Sequence, residues 1–281
     1  MTLQYFDIHL NQNQTKSSLR TNPDDKNVFT KEIADYLKSS HNIDSKLLFN
    51  GNLNTIKSLI ANNIYVIVED WLRPNDDVGH VLILRGYDDN KQILISDDSY
   101  FGTNTVYSYE TFDQQQWKPF NREYLPIYTP DQENIVKQII GPDWDSTYMF
   151  QNSVKYHQLQ TSKNPQDMYS WFNLGTSHFA LGNFDQARIA FETSQKIGWP
   201  PRMLWYQYQP IITYNQLGYH HKALKLIQLG LTGYQAFPEL HYQAALAHIG
   251  LNQPTQAKQS LNSALVANPN FQEAKDLLIT L

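Results

Sequence analysis

A mixed α+β front half followed by an all-α helical array is the fold class this sequence predicts, on two observations. Short β-branched runs are confined to residues 55–128, and beyond about residue 145 they give way to helical segments in which a small alanine recurs at Ala187, Ala223 and Ala257. The first β run is Ile64-Tyr65-Val66-Ile67-Val68. Val81–Tyr87 and Gln92–Ser96 flank Asp88-Asp89-Asn90-Lys91 as the arms of a hairpin. Tyr124–Tyr128 reads as a final edge strand, because Pro126 has no N–H to give to a ladder. Phe29–Ser39 reads as a helix with Thr30 as N-cap and Ile33, Ala34 and Leu37 on one face. Leu53–Ala61 reads as another, with Ile56, Leu59 and Ile60 inward.

At 281 residues the chain has room for one large or two ordinary domains. With 41% hydrophobic and 17% charged residues it has enough apolar material to fold around a core. Its 22 basic and 27 acidic residues leave a net charge of −5 without a basic block, which argues against nucleic acid or an anionic membrane as partner. No apolar stretch approaches the roughly 20 residues of a membrane span, and Met1-Thr2-Leu3-Gln4-Tyr5-Phe6-Asp7 lacks the basic start and apolar core of a signal peptide. No glycine-rich phosphate loop occurs, and no cofactor is implied. The complete absence of cysteine excludes disulfides and thiolate metal sites.

Trp171, Leu174, Gly175, Gly182, Ala187 and Phe191 follow the pattern Trp-x2-Leu-Gly…Gly…Ala-x3-Phe, which resembles the tetratricopeptide (TPR) unit. A second unit keeps Tyr214, Gly218, Ala223 and Ile227, and a third keeps Ala257, Leu261, Ala264 and Pro269. Each unit implies a helix pair whose small residues permit close approach while the large ones fill the groove. Asp145–Gln160 and Phe271–Leu281 would cap the stack. The expected division is 1–129 for the front domain, 130–144 for a linker that includes a short helix at Glu133–Ile140, and 145–281 for the solenoid. The array is expected to present peptide or protein partners. Trp199, Trp205, Tyr206 and Tyr208 are expected to be core between repeats rather than the wall of a concave face, and His220-His221 falls in a predicted turn.

A hairpin turn centred between Asp89 and Asn90 pairs Tyr87 with Gln92 and sets Asp97 opposite Leu82. His80 then lies on the same face, diagonal to Asp97 at about 7–8 Å between backbones, while Asp98 points to the other face. A three-residue loop would shift the parity and select Asp98 instead. A carboxylate at that position fixes an imidazole tautomer and stabilises its charged form, as an acid–base pair requires. Against this stands the ordinary reading, a hydrogen-bonded structural histidine and solvated aspartates. A cation site built from Asp76-Asp77 with His80, or from Asp88-Asp89 with Asp97-Asp98, is a weaker option, because no EF-hand spacing accompanies them.

Gly79-His80-Val81-Leu82 through Gly86-Tyr87-Asp88, followed by Ile95-Ser96-Asp97, resembles the His-to-Asp hairpin of the papain-like cysteine peptidases that include the bacteriocin double-glycine leader peptidases, cysteine peptidase family thirty-nine. Asp98 stands where that pattern has proline, so the resemblance makes Asp97 the acid. Ile56–Ala61 followed by Ile64–Val68 is similar to the family's helix and strand before the histidine. Asp25-Lys26-Asn27-Val28 and Glu32-Ile33 resemble the helix after its nucleophile region. Pro201-Arg202-Met203-Leu204-Trp205-Tyr206 resembles a segment of bacterial proteins that join this domain to TPR units.

The resemblance implies a papain-like α+β domain and peptide or isopeptide hydrolysis, with a cysteine at a helix start as nucleophile, His80 as base and Asp97 as its orienter. Neither that cysteine nor the upstream glutamine of the oxyanion hole is present. Met1–Phe6 resembles the turns just after the cysteine, so the domain is expected to be incomplete at its N-terminus, through a misassigned start, a gene fragment or true loss of catalysis. Thr2, Ser17 and Ser18 lack a motif that would make them replacements. The expectation is a peptidase-like protein inactive by the thiol route; the alternative is a non-catalytic TPR scaffold.

Overall fold

A computed structural model describes residues 2–19, 28–200 and 202–281. Met1, Asp25-Lys26-Asn27 and Pro201, all invoked above, lie outside the described residues. A 3-10 turn (Thr2–Phe6) stands where the interior of an α-helix was expected, and α1 (Gln12–Leu19) and α2 (Thr30–His41) follow. Then come β1 (Asp44–Ser45), α3 (Leu53–Ala61), β2 (Tyr65–Trp71), β3 (Gly79–Asp88), β4 (Ile93–Asp98) and β5 (Gly102–Ser108). A short α4 (Tyr109–Thr111) runs through a π turn (Phe112–Trp117) and a 3-10 turn (Lys118–Phe120) into β6 (Tyr124–Tyr128). The six strands form one antiparallel sheet in the order β1-β6-β2-β3-β4-β5.

Strand alternation divides the front core in two. Val66, Val68, Leu82, Leu84 and Leu94 pack on one face against Ile56 and Leu59 of α3, and Phe112 and Trp117 complete that layer. Ile67, Ile83, Leu125 and Ile127 pack on the other face against Leu37 of α2 and Leu3. α3 starts where Asn52 caps it, its side chain accepting from the Thr55 N–H at 3.0 Å. α2 differs from expectation at its start. Phe29 occupies the cap, the Glu32 carboxylate accepts the Phe29 N–H at 2.8 Å, and the Thr30 hydroxyl donates instead to Glu123.

β6 is not an edge strand: two-residue β1 lies outside it and pairs with Ile127 and Tyr128. Tyr124 exchanges both backbone bonds with Leu48 on that outer side. By alternation the nitrogen of Pro126 also faces outward, into the gap between those contacts, so its missing N–H costs the inner ladder nothing. The exposed edge is β5, whose sequence Gly-Thr-Asn-Thr-Val-Tyr-Ser carries too little apolar signal to be read as a strand.

α5 (Glu133–Ile140) forms where a short helix was expected, but its segment is no loose tether. Val136 and Ile140 are buried in the front core together with Met149 of the following helix. The array comprises α6 (Ser146–Lys163), α7 (Met168–Ala180), α8 (Phe184–Ile197), α9 (Met203–Tyr206), α10 (Gln209–Gln216), α11 (His220–Gly230), α12 (Pro238–Gly250), α13 (Pro254–Ala267) and α14 (Gln272–Thr280). α7 with α8, α10 with α11 and α12 with α13 are the three helix pairs, and Ala187, Ala223 and Ala257 are fully buried between them. At Gly175 an added Cβ would lie 2.5 Å from the Phe191 ring, so only glycine lets α7 and α8 approach this closely. His220 opens α11 rather than lying in a turn. Its ring bonds Asn215 at 3.2 Å and sits against Gly250 of the next pair.

The array is fastened to the front domain by an apolar seam and a polar one. Trp71 and Phe120 share a cluster with Phe172, Phe191 and Met203. Beside it, His157 of α6 is fully buried with its Nε2 2.8 Å from Asn121 Oδ1, while Ser153 and Ser177 bond each other at 2.7 Å. Burial first, then the charges of Arg122 and Lys118, push the His157 pKa down from 6.5 to about 3. The unfolded chain therefore takes up this proton near pH 6.5 and the folded one only near 3. Stability from this group is complete above pH 6.5 and falls as the pH drops through that window, by about 1.4 kcal/mol per unit. Chemical denaturation at pH 7.5 and pH 5 is expected to show a loss about 2 kcal/mol larger for the wild type than for His157→Gln. Because the variant retains every other titrating group, an equal loss in both proteins would refute the assignment.

Candidate functional site

β3 opens with Gly79 and His80, and the partner of His80 is set by the register of two strand pairs. On one side Asp70 of β2 stands directly opposite His80. On the other, β3 and β4 pair Asp88 with Ile93 at the hairpin end, but the ladder slips by one residue between Leu84 and Gly86. Arg85 is the extra residue of a β-bulge, and beyond it Leu82 faces Asp98 and Ile83 faces Asp97. One inserted residue exchanges the two faces of everything beyond it. His80 consequently meets Asp98, with Nε2 to Oδ2 at 2.9 Å, and not Asp97 as the sequence register predicted. Gly86, a glycine within an apolar strand and tight against Ile95, is the sequence signal that could have exposed the bulge.

Asp97 has a different task. Its carboxylate accepts from the Tyr5 hydroxyl, from Arg85 Nε at 3.0 Å and from the Asn104 N–H at 3.1 Å. It ties the N-terminal turn and the bulge residue to the sheet, on the face away from His80.

Asp98 is 1% exposed and fully engaged. Oδ1 accepts the backbone N–H groups of Tyr100 (2.6 Å) and Phe101 (2.9 Å), and Oδ2 accepts from the Tyr107 hydroxyl at 2.9 Å as well as meeting His80. Burial opposes its ionisation, but the two N–H donors and His80 outweigh burial and hold its pKa below the usual carboxylate value. An ionised carboxylate only accepts, so Nε2 of His80 carries the hydrogen between them and Nδ1 is left as the basic nitrogen. Asp70, fully buried on the same face, is driven the opposite way. Burial and then the charge of Asp98 raise its pKa well above the ordinary range, and its Oδ1 has no hydrogen-bond partner among the described residues. The site thus drives the pKa values of Asp98 and Asp70 in opposite directions, the kind of separation that divides acid from base roles. Glu69 and Asp70 escaped the sequence reading because the apolar run that marked the strand ends at Val68.

The His80 side chain is 12% exposed and opens into a cavity of about 790 Å3. The floor is the end of the sheet, with Glu69, Gly79 and Val81; the opposite wall carries Trp205, Tyr206 and Phe237 from the array. Tyr206 comes so close that a Cβ on Gly79 would lie 2.6 Å from its ring. Trp199, Trp205 and Tyr208 pack in the core between repeats as expected, yet Trp205 and Tyr206 also wall the cavity.

The other candidates are dispersed. Ser18 is exposed, its hydroxyl on the Gln14 carbonyl at 3.4 Å, and the side chains of Thr2 and Ser17 are not among those described. Asp77 pairs with Arg202 (3.4 Å), Asp88 with Lys91 (3.4 Å) and Asp89 with Lys57 (2.8 Å). Among the described residues no three His, Asp or Glu side chains are grouped to hold a metal ion. No described helix is long and apolar enough to cross a membrane.

Residues 1–125 match the model of the Peptidase_C39 like family, and residues 169–197 and 238–271 match that of the tetratricopeptide repeat. No curated protein matches the chain. Among solved structures the chain is similar to MamA 41-end from Desulfovibrio magneticus RS-1, at 16% identity over 48% of this chain and 82% of that one, with a TM-score of 0.41. It is also similar to YrrB, a TPR protein with an unusual peptide-binding site, at 10% identity over 51% of this chain and 88% of that one, with a TM-score of 0.26. The matched residues, the six-stranded front sheet and the paired helices agree: this chain joins a Peptidase_C39-like domain, without any cysteine, to tetratricopeptide repeats.

Proposed function

We propose that this chain binds an extended peptide in the cavity between the sheet and the array, with His80, oriented by Asp98, beside the peptide backbone. The observation that carries the reading is the cavity itself, within the range of about 300–1,000 Å3 usual for ligand sites, with His80 on one side and aromatic rings of the array on the other. The peptidase-like front domain supplies the chemical class, a peptide, and the TPR array supplies a second wall. Peptide-bond hydrolysis is the chemistry that goes with the family, and there His80 would be the base. It also needs a thiol, which this chain does not contain, so this chain is read as a binder that holds a peptide without cutting it.

The test is selection of a random nonapeptide pool on the purified protein, then fluorescence anisotropy on the recovered peptides. Tyr234→Ser, a cavity-wall substitution, is expected to weaken binding about tenfold or more. Val266→Ser, on an exposed face of α13 away from the cavity, is expected to leave it unchanged. Mass spectrometry is expected to find the peptides intact. Recovery of no peptide, or binding indifferent to Tyr234→Ser, would overturn the reading.

A further inference from the structure

Glu69 is the one acidic side chain among the described residues that line the cavity, and it is 94% buried by its 6% residual exposure. Its carboxyl forms no hydrogen bond or ion pair with any described residue. A carboxyl buried in this way costs stability unless something pairs with it. Among the described residues no cation is placed to do so. Among the described residues that line the cavity, Arg202 pairs with Asp77 and stacks over Trp205 at 5.3 Å from the ring centroid, and the His80 ring is held by Asp98. The other described titratable groups facing Glu69 are Asp70, Glu123 and the Tyr206 phenol, none of them a cation. Across from it stand the rings of Trp205, Tyr206, Tyr234 and Phe237. Aromatic faces and a desolvated carboxyl are the two elements that together recognise an organic cation.

We propose that Glu69 sets the specificity of this cavity and takes the guanidinium of an arginine in the bound peptide. A guanidinium suits the site better than an ammonium because it forks onto a carboxylate while lying flat on an aromatic ring. This inference rests on the peptide-binding reading above and adds the side chain that the site selects. Burial first, then the charges of Glu123 and Asp70, raise the Glu69 pKa well above the ordinary carboxylate value. A bound guanidinium would favour the ionised carboxyl and bring that pKa down again, so the preference for arginine grows as the pH is raised.

The experiment compares two N-acetylated, C-amidated peptides, Ala-Ala-Arg-Ala-Ala and its citrulline analogue, which keeps the shape of arginine without the charge. Wild-type protein is expected to bind the arginine peptide about ten- to a hundredfold more tightly, with a larger ratio at pH 8 than at pH 6. Glu69→Gln is expected to bind the two equally and to unfold at the same or a higher denaturant concentration than wild type, since a buried acid has been replaced by a neutral isostere. Equal binding of both peptides by wild type, or an arginine preference that survives Glu69→Gln, overturns the proposal and leaves the peptide reading standing. Binding of neither overturns the proposal too. The peptide reading falls with it only if the random pool also yields no binder.

Discussion

Replacing Trp71 with alanine is expected to lower the stability of the protein by about 3–5 kcal/mol, measured by chemical denaturation. Trp71 is fully buried at the end of β2, at the seam between the sheet and the array. Its ring meets Phe120 edge-on at 4.6 Å and Tyr206 at 5.7 Å, and its Nε1 donates to the Tyr169 hydroxyl at 3.0 Å. Alanine removes the largest apolar surface of the seam and leaves a cavity that rigid neighbours on both sides are poorly able to close. The change also reaches the candidate site, because Trp71 pairs across the ladder with Gly79, the residue before His80, and supports the Tyr206 ring that walls the cavity. Peptide binding is therefore expected to weaken together with stability. Trp71→Phe, which keeps a ring but not the bond to Tyr169, is expected to lose much less of both. A loss under about 1 kcal/mol for the alanine variant would show that the sheet and the array do not depend on this contact.

What was legible in the sequence was local. α3 and α5 have the expected bounds; in α3 the apolar spacing of Ile56, Leu59 and Ile60 is the signal, and in α5 the structure shows Val136 and Ile140 buried one turn apart. The repeats were legible because Gly175, Ala187, Ala223 and Ala257 are demanded by close helix contact, which leaves small residues at fixed intervals. The partner of His80 was misread for a reason equally local but silent in the hydrophobic pattern. A bulge at Arg85 changes no residue type, yet it exchanges Asp97 for Asp98. β5 and the Glu69-Asp70 end of β2 were missed because their residues are polar, and polar strands carry no alternation to read. The cavity was out of reach altogether: His80 and Tyr206 come together only through the seam around Trp71, and contacts between residues more than a hundred positions apart leave no period in the chain.

Removing Asp113 should expose how much the turn between α4 and β6 depends on a single buried ion pair. Arg122 is 4% exposed and is held by the Asp113 carboxylate through Nε at 2.6 Å and Nη2 at 3.1 Å. Burial works against its charge, but that two-point contact more than compensates and raises its pKa above the ordinary value, so it stays a cation inside the protein. The guanidinium also lies over the Tyr156 ring of α6 at 5.5 Å, so the pair sits under the array as well as within the front domain. Asn121 and Arg122 both adopt left-handed backbone conformations, with φ of 52° and 46°, and this sharp corner positions Asn121 for the His157 network. In Asp113→Ala the cation remains buried without its partner, and the expected cost is about 3–5 kcal/mol. Asp113→Ala combined with Arg122→Met removes the stranded charge while keeping the length of the side chain, and is expected to recover most of that loss. The two denaturation midpoints decide between a charge effect and a packing effect: recovery in the double variant assigns the cost to the unpaired guanidinium, whereas additive losses would assign it to the volume removed and refute the ion-pair account.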